Sequence, residues 1–233
     1  MVDSKNSGIA ERRIYMNKGL GNDTTLVFSY LELRRIIGLL GILFPFILAI
    51  GALIVFNTGP QSSVSAYYHT GMHDVFVGIL FAIGFFLLTY RGYERSDNLA
   101  GNLCCIFAIG VALFPCTPDV GATSTDHIIG YIHLAFAALF FLTLIYFSLF
   151  LFTKTNPDKP PSRRKIQRNR VYKACGYAMA ICILLIAVYI ILPDSVAAVF
   201  EPLNPVYWLE ALAVLFFGIS WFTKGEAILK DEA

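Results

Sequence analysis

The sequence has few charged residues for its length. Of 233 residues, 15% are Asp, Glu, Lys or Arg, whereas 57% are hydrophobic. A soluble domain carries about a quarter charged residues, and its helices need a polar face toward water. The shortage of charge argues against a soluble helical bundle and favours a protein that crosses a membrane several times.

Several common signatures are also missing. The five cysteines include no Cys-x-x-Cys pair, and four of them fall inside apolar runs, so we expect no disulfide framework. The sequence contains no Walker motif, no dinucleotide-binding glycine pattern and no His-Glu-x-x-His motif. We expect no nucleic-acid partner. We also expect no secretory signal peptide, because the first apolar run begins late, near Ile36, and is long enough to span.

Six apolar runs follow the polar N-terminal segment. They are Ile36–Phe56, Val75–Tyr90, Leu99–Pro115, Ile128–Phe152, Ala174–Leu192 and Pro205–Thr223. The second run would rise only about 24 Å, against a hydrocarbon core of about 30 Å, so its helix should start earlier, near Thr70 or Gly71. The sequence therefore predicts an all-α bundle of six transmembrane helices.

The predicted segments are a cytoplasmic N-terminal segment over residues 1–33, a transmembrane domain over 34–223 and a cytoplasmic tail over 224–233. Within the first segment, Asp23-Thr24-Thr25 offers N-cap chemistry for a short juxtamembrane helix over Leu26–Arg35.

Lysine and arginine are absent from three of the connections between runs. All 18 lie before Ile36, in Arg91–Arg95, in Lys154–Lys173 or after Thr223. With six spans these four regions fall on one side, which the positive-inside rule makes cytoplasmic. We therefore expect both termini in the cytoplasm.

The connection Lys154–Lys173 carries eight of the basic residues and three prolines. It is interpreted as a solvated loop that sets topology. The alternative is a docking surface for the anionic headgroups of membrane lipids.

The opposite side collects all four histidines: His69, His73, His127 and His133. Asp74 and Glu210 lie on the same side, at or just inside the starts of predicted helices. Ionisable groups at such depth are costly and usually face the bundle interior. Simpler interpretations are interfacial histidines, a helix cap beside Asp126, and an interhelical hydrogen bond from Glu210.

Three chemistries suit this cluster of side chains. Zinc takes three protein ligands from His and carboxylate and leaves a position for water, haem needs one or two facing histidines, and a proton or ion path could use Glu210 and Asp74. The zinc hypothesis assigns the metal to His73, His133 and either His69 or His127. Asp74 would be a ligand or orient the metal-bound water, and Ser65 would hydrogen-bond that water or a developing oxyanion.

Two resemblances bear on these residues. The stretches Asp74-Val-Phe-Val-Gly-Ile-Leu, Leu113-Phe-Pro and Asp126-His-Ile-Ile-Gly-Tyr-Ile-His133 resemble an uncharacterised family of bacterial multi-helix membrane proteins, a domain of unknown function. This likeness covers all six runs and implies a multi-pass protein of the bacterial inner membrane, with no stated activity.

The stretch Ser65-Ala-Tyr-Tyr-His69 is similar to the Ser-x3-His motif of the CREST membrane hydrolases, which include alkaline ceramidases and adiponectin-type receptors. In that superfamily the motif joins an Asp and a His-x3-His pair around zinc. The likeness implies that Asp74, His127 and His133 take these roles, although the later pair here is His-x5-His and six helices are predicted, not seven.

Together these observations predict an intramembrane, zinc-dependent hydrolase of a lipid or amide, with Ser65, Asp74 and Glu210 as catalytic residues. The alternatives are a non-enzymatic binding protein or proton-coupled transporter that uses the same pocket, and a haem-binding membrane protein.

Overall fold

A computed structural model describes residues 29–90, 95–155 and 160–230 of the chain. These residues form seven α-helices and no β-strand, which confirms the all-helical class. The helices are α1 Tyr30–Phe56, α2 His73–Leu88, α3 Arg95–Leu113, α4 Ser124–Tyr146, α5 Arg163–Ile190, α6 Asp194–Phe200 and α7 Pro205–Lys224. A 3₁₀ turn, Ser65–His69, precedes α2, and one π-helical turn, Phe147–Leu151, extends α4.

Local capping chemistry fixes where three of the helices begin. Ser29 and Glu32 form a capping box at the start of α1, and Thr123 and Asp126 form one at the start of α4. The side chain of Ser162 accepts a hydrogen bond from the backbone N–H of Lys165 at the start of α5. The predicted N-cap at 23–25 lies outside the described residues.

The helices agree with the six apolar runs, with three differences. Helix α5 begins at Arg163, eleven residues before the predicted run, because Ser162 caps it there. The prediction that all of Lys154–Lys173 is a loop was therefore wrong for residues 163–173, which are helical. Helix α2 begins at His73, two to three residues later than predicted, because the preceding residues form the 3₁₀ turn and Thr70 is extended. The short helix α6 was not predicted; it follows Pro193 in the connection between the last two runs.

The six long helices close into a ring. Helix α1 packs against α2 and α7, α7 against α5, α5 against α4, α4 against α3, and α3 against α2. Helices α1 and α7 approach closely, since a Cβ on Gly218 would lie 2.6 Å from the carbonyl oxygen of Gly38. Small residues of this kind let two helix backbones touch in a membrane. The chain therefore closes the ring with its first and last long helices.

Much of the outer surface of the ring is apolar. Five of the described helices, α1, α3, α4 with its π turn, α5 and α7, are long and apolar enough to cross a membrane. Large side chains on them point outward, such as Ile54, which is 75% exposed, and Leu184, which is 63% exposed. Such a surface is stable against lipid and unfavourable in water. The chain has the helices of an integral membrane protein.

The two ends of the ring differ in chemistry. At one end, the basic end, the start of α1 meets the ends of α2 and α7, and Lys154 after α4 pairs with Asp97 of α3 at 2.6 Å. At the other end, the histidine end, the segment between α1 and α2 meets the α3–α4 connection and the start of α7.

Candidate ligand-binding site

The segment over residues 57–72, here called the cap segment, folds over the histidine end of the ring. Val64, Ala66, Tyr67 and Met72 are buried there. The hydroxyl of Ser62 donates to Asp119 Oδ1 at 2.9 Å. These contacts hold the cap segment over the interior of the bundle at this end.

Glu210 joins the cap segment to α7. Its Oε2 accepts hydrogen bonds from the backbone N–H of Val64 at 2.8 Å and of Ser65 at 3.2 Å. One turn away, the N–H of Tyr207 donates to the carbonyl of Ser62 at 3.1 Å. The carboxylate thus satisfies two backbone donors at the start of the 3₁₀ turn, which an apolar residue could not do. The interhelical hydrogen bond considered from the sequence is replaced by a helix-to-loop bond.

The other carboxylate oxygen of Glu210 has a different environment. Within the described part of the chain, Oε1 accepts no hydrogen bond, and it is not among the enclosed polar atoms. The side chain as a whole is half-buried. One oxygen is therefore used by the fold, and the other is available to a ligand.

Two concave spaces meet at Glu210. The first is an internal cavity of about 40 Å³, lined by Glu210, Ser65 and apolar side chains of five helices, which include Phe44, Phe76 and Phe140. Its volume suits two or three water molecules. The cavity can therefore hydrate the carboxylate, and the haem-binding alternative stays a sequence-based prediction.

The second space is a groove of about 320 Å³ between α4 and α5. Leu134 and Ala138 of α4 and Ile186 and Ala187 of α5 form its walls, and Glu210 reaches it from α7. Ligand pockets typically begin at about 300 Å³ and are apolar with few polar groups. Because α4 and α5 are both candidate spans, this groove opens sideways, toward the region that lipid would occupy. Its volume and lining suit an apolar ligand with one polar group.

The four histidines occupy separate positions at the same end. His69 Nε2 lies 2.7 Å from the carbonyl oxygen of Cys116, and His133 Nδ1 lies 2.7 Å from that of Phe114. His73 Nδ1 lies 3.0 Å from the carbonyl oxygen of Tyr68. His133 is buried, whereas His127 is exposed on the first turn of α4. His69, His73 and His133 each donate to a backbone carbonyl, which orients the ring.

The structure brings His69 and His133 to one connection, between α3 and α4, where they are close enough to interact electrostatically. His73 instead packs edge-on against the Tyr68 ring, with 4.2 Å between the ring centroids. Asp74 is exposed in the first turn of α2, and Asp126 serves the cap of α4. Of the predicted catalytic residues, only Ser65 and Glu210 come together, through a backbone bond.

The predicted zinc site has no counterpart in the described residues. No group of three or more His, Cys, Asp or Glu side chains among residues 29–90, 95–155 and 160–230 is placed to hold one metal ion. The arrangement therefore lends no support to the zinc-dependent hydrolase, which stays a sequence-based prediction.

Sequence reasoning singled out Glu210 but missed the groove beside it. A groove depends on which helix faces are adjacent, and the sequence of a single helix does not show its neighbours.

Comparisons of the chain with protein-family models, with curated proteins and with solved structures found no match.

Proposed function

We propose that the protein binds an amphiphilic, lipid-like molecule in the groove between α4 and α5, with Glu210 as the polar anchor. One observation carries the proposal: a carboxylate with one uncommitted oxygen reaches an apolar groove of about 320 Å³ that opens on the side of the bundle. The ligand's tail would lie along Ile186 and Ala187, and its head group would donate a hydrogen bond to Glu210. A long-chain amine has this chemistry, since its ammonium group also pairs with the charge.

The route into the groove supports a lipid-like ligand over a water-soluble one. The cap segment covers the histidine end, where Tyr67 and Val64 are buried. The groove is lined almost wholly by apolar side chains. A molecule already dissolved in the bilayer can enter sideways without crossing that cover.

Binding of a long-chain amine labelled with pyrene tests the proposal. The full chain is placed in bilayer nanodiscs, and pyrene anisotropy is followed against a pyrene-labelled fatty acid of equal chain length. We expect saturable binding of the amine, weakened about tenfold or more by Glu210→Gln, because a hydrogen bond to a charged group contributes about 1.5–3 kcal/mol. Equal binding of the amine and the acid would contradict Glu210 as the anchor.

A matched pair of tryptophan substitutions tests the location. Ala187→Trp fills the groove, whereas Leu184→Trp, one turn earlier on α5, adds a ring to an exposed surface outside the groove. We expect the first substitution to abolish amine binding and the second to preserve it. If both variants bind like wild type, the ligand does not use this groove.

We further infer that all six helices of the ring span the membrane, with both termini in the cytoplasm. Helix α2, His73–Leu88, is short for a span, but it is preceded by the cap segment, which can complete the crossing. Reporter fusions after Ala122 and at the C-terminus test the orientation. A cytoplasmic signal from the Ala122 fusion would contradict it.

A further inference from the structure

Two cations at the basic end of the ring lie against aromatic rings. The guanidinium of Arg34, on α1, lies 4.6 Å from the ring centre of Tyr30 and 5.7 Å from that of Tyr90. The ammonium of Lys224, the last residue of α7, lies 5.2 Å from the ring centre of Phe152. Neither side chain makes a hydrogen bond or ion pair with the described residues, and Arg34 Nε is enclosed.

An enclosed indole donor lies in the same cluster. Trp221 is 1% exposed, and its Nε1 has no hydrogen-bond acceptor in the part of the chain that the structure describes. Its ring packs 5.6 Å from Tyr90 and 5.0 Å from Phe152, the same rings that Arg34 and Lys224 contact. Enclosed donors without an acceptor are rare and call for an explanation, such as an ion at the site.

Charges around Lys224 are mostly of its own sign. Its electrostatic neighbours are Arg34, Lys165 and Arg168, with Glu226 as the opposing acid. Lys165 and Arg168 are already engaged, since they donate to backbone carbonyls of Phe152 and Leu229. Among the described residues these like charges repel one another, and this repulsion falls when an anion binds among them.

Other cations at this end show what a satisfied site looks like. Lys154 pairs with the buried Asp97 at 2.6 Å, and Arg35 Nε donates to the carbonyl of Gly225 at 2.8 Å. Arg34 is adjacent to Arg35 in the sequence, but its guanidinium lies against the rings of Tyr30 and Tyr90 and makes no hydrogen bond within the described residues. Among the described cations at this end, the unused hydrogen-bond donors therefore lie at Arg34 and Lys224.

We propose that Arg34 and Lys224 bind the phosphate group of an anionic phospholipid at the basic end of the ring. Arg34 lies in the second turn of α1, and Lys224 ends α7, so both lie where candidate spans reach the bilayer surface. Phosphate groups lie at that level, and basic residues near the surface attract anionic lipid. This proposal is independent of the groove and of Glu210.

Lipid retention tests the site with charge-matched variants. The full chain is reconstituted in nanodiscs of phosphatidylcholine with phosphatidylglycerol, extracted, and examined by native mass spectrometry. The first double variant is Arg34→Gln with Lys224→Gln. The control, Arg170→Gln with Lys173→Gln, removes the same charge from exposed positions on α5.

We expect wild type and the control to retain one phosphatidylglycerol molecule. The first variant should bind it about 30-fold more weakly, since each basic group near the surface contributes about 1 kcal/mol. Arg34→Lys with Lys224→Arg should preserve retention, which separates lost charge from misfolding. Equal weakening in both Gln variants, or equal retention of phosphatidylcholine, would overturn the proposal.

A fluorescence measurement distinguishes lipid from soluble phosphate. In a Trp208→Phe background, Trp221 is the only remaining tryptophan of the two in the sequence. We expect its emission to shift when phosphatidylglycerol is added to phosphatidylcholine nanodiscs, and not in the double Gln variant. A saturable shift with millimolar inorganic phosphate alone would overturn the lipid assignment.

Discussion

Removing the hydrogen-bonding capacity of Glu210 should destabilise the cap segment. Glu210→Gln and Glu210→Leu both remove the charge, but the amide oxygen of Gln can still accept from Val64 and Ser65, whose N–H groups lie 2.8 and 3.2 Å from Oε2. Leaving two such donors unsatisfied costs about 2–6 kcal/mol at about 1–3 each. Leucine recovers about 1–2 kcal/mol through apolar contacts with the cavity wall. From the midpoints of these two ranges we expect Glu210→Leu to be about 2.5 kcal/mol less stable than Glu210→Gln.

The comparison is made by unfolding both variants in mixed micelles with increasing dodecyl sulfate, followed by tryptophan fluorescence. Hydrogen exchange provides a local readout, because the amides of Val64 and Ser65 should exchange faster in Glu210→Leu only. Stabilities equal to within about 0.5 kcal/mol, the scatter expected for such differences, with unchanged protection of both amides, would refute the reasoning.

Two further predictions concern the ring and the histidine end. Gly218→Ala should destabilise the protein by about 1–3 kcal/mol through overpacking of α1 against α7. Gly78→Ala is the control, because a Cβ there meets nothing within 4 Å, and it should be neutral or slightly stabilising. Equal effects of the two substitutions in the same dodecyl sulfate titration would contradict the close contact. Burial, with the carboxylates of Glu210 and Asp119 nearby, raises the pKa of the Cys116 thiol to about 12. At pH 8 about one Cys116 thiol in 10,000 is then ionised. The rate of its alkylation, measured by peptide mass spectrometry, should therefore rise about tenfold per pH unit up to pH 10. A rate that levels off near pH 9 would contradict the raised pKa.

Hydropathy located the apolar part of each long helix, because a long apolar run has few alternatives to a spanning helix. It missed the first eleven residues of α5, which are mostly polar and basic. It failed at the 3₁₀ turn before α2, where the chain leaves the helical path between Thr70 and His73. It also missed α6, whose seven residues are too few to show a period. Hydropathy also missed the start of α4: the run was predicted from Ile128, whereas the capping box of Thr123 and Asp126 starts the helix at Ser124.

The candidate site was harder to predict for a geometric reason. Rise per residue indicates the depth of His133 and Glu210, but the ring order decides which side chains meet. His133 turns to the carbonyl of Phe114, and Glu210 to the N–H groups of Val64 and Ser65. Both bonds use backbone atoms of connections, which no side-chain pattern records. The two cations at the basic end were visible in the sequence, but their lack of partners was not.

Helix α7 contributes one anchoring residue to each proposed site, and its length separates the two residues. Glu210 and Lys224 are 14 positions apart along α7, which is about 21 Å at 1.5 Å per residue. A hydrocarbon core measures about 30 Å, so with Lys224 at one surface, Glu210 lies about 9 Å below the other. A head group that reaches Glu210 must therefore leave its own interface, which the sideways groove between α4 and α5 allows. A phospholipid at Lys224 and an amphiphile at Glu210 would then come from opposite leaflets, and the two sites can be filled at once.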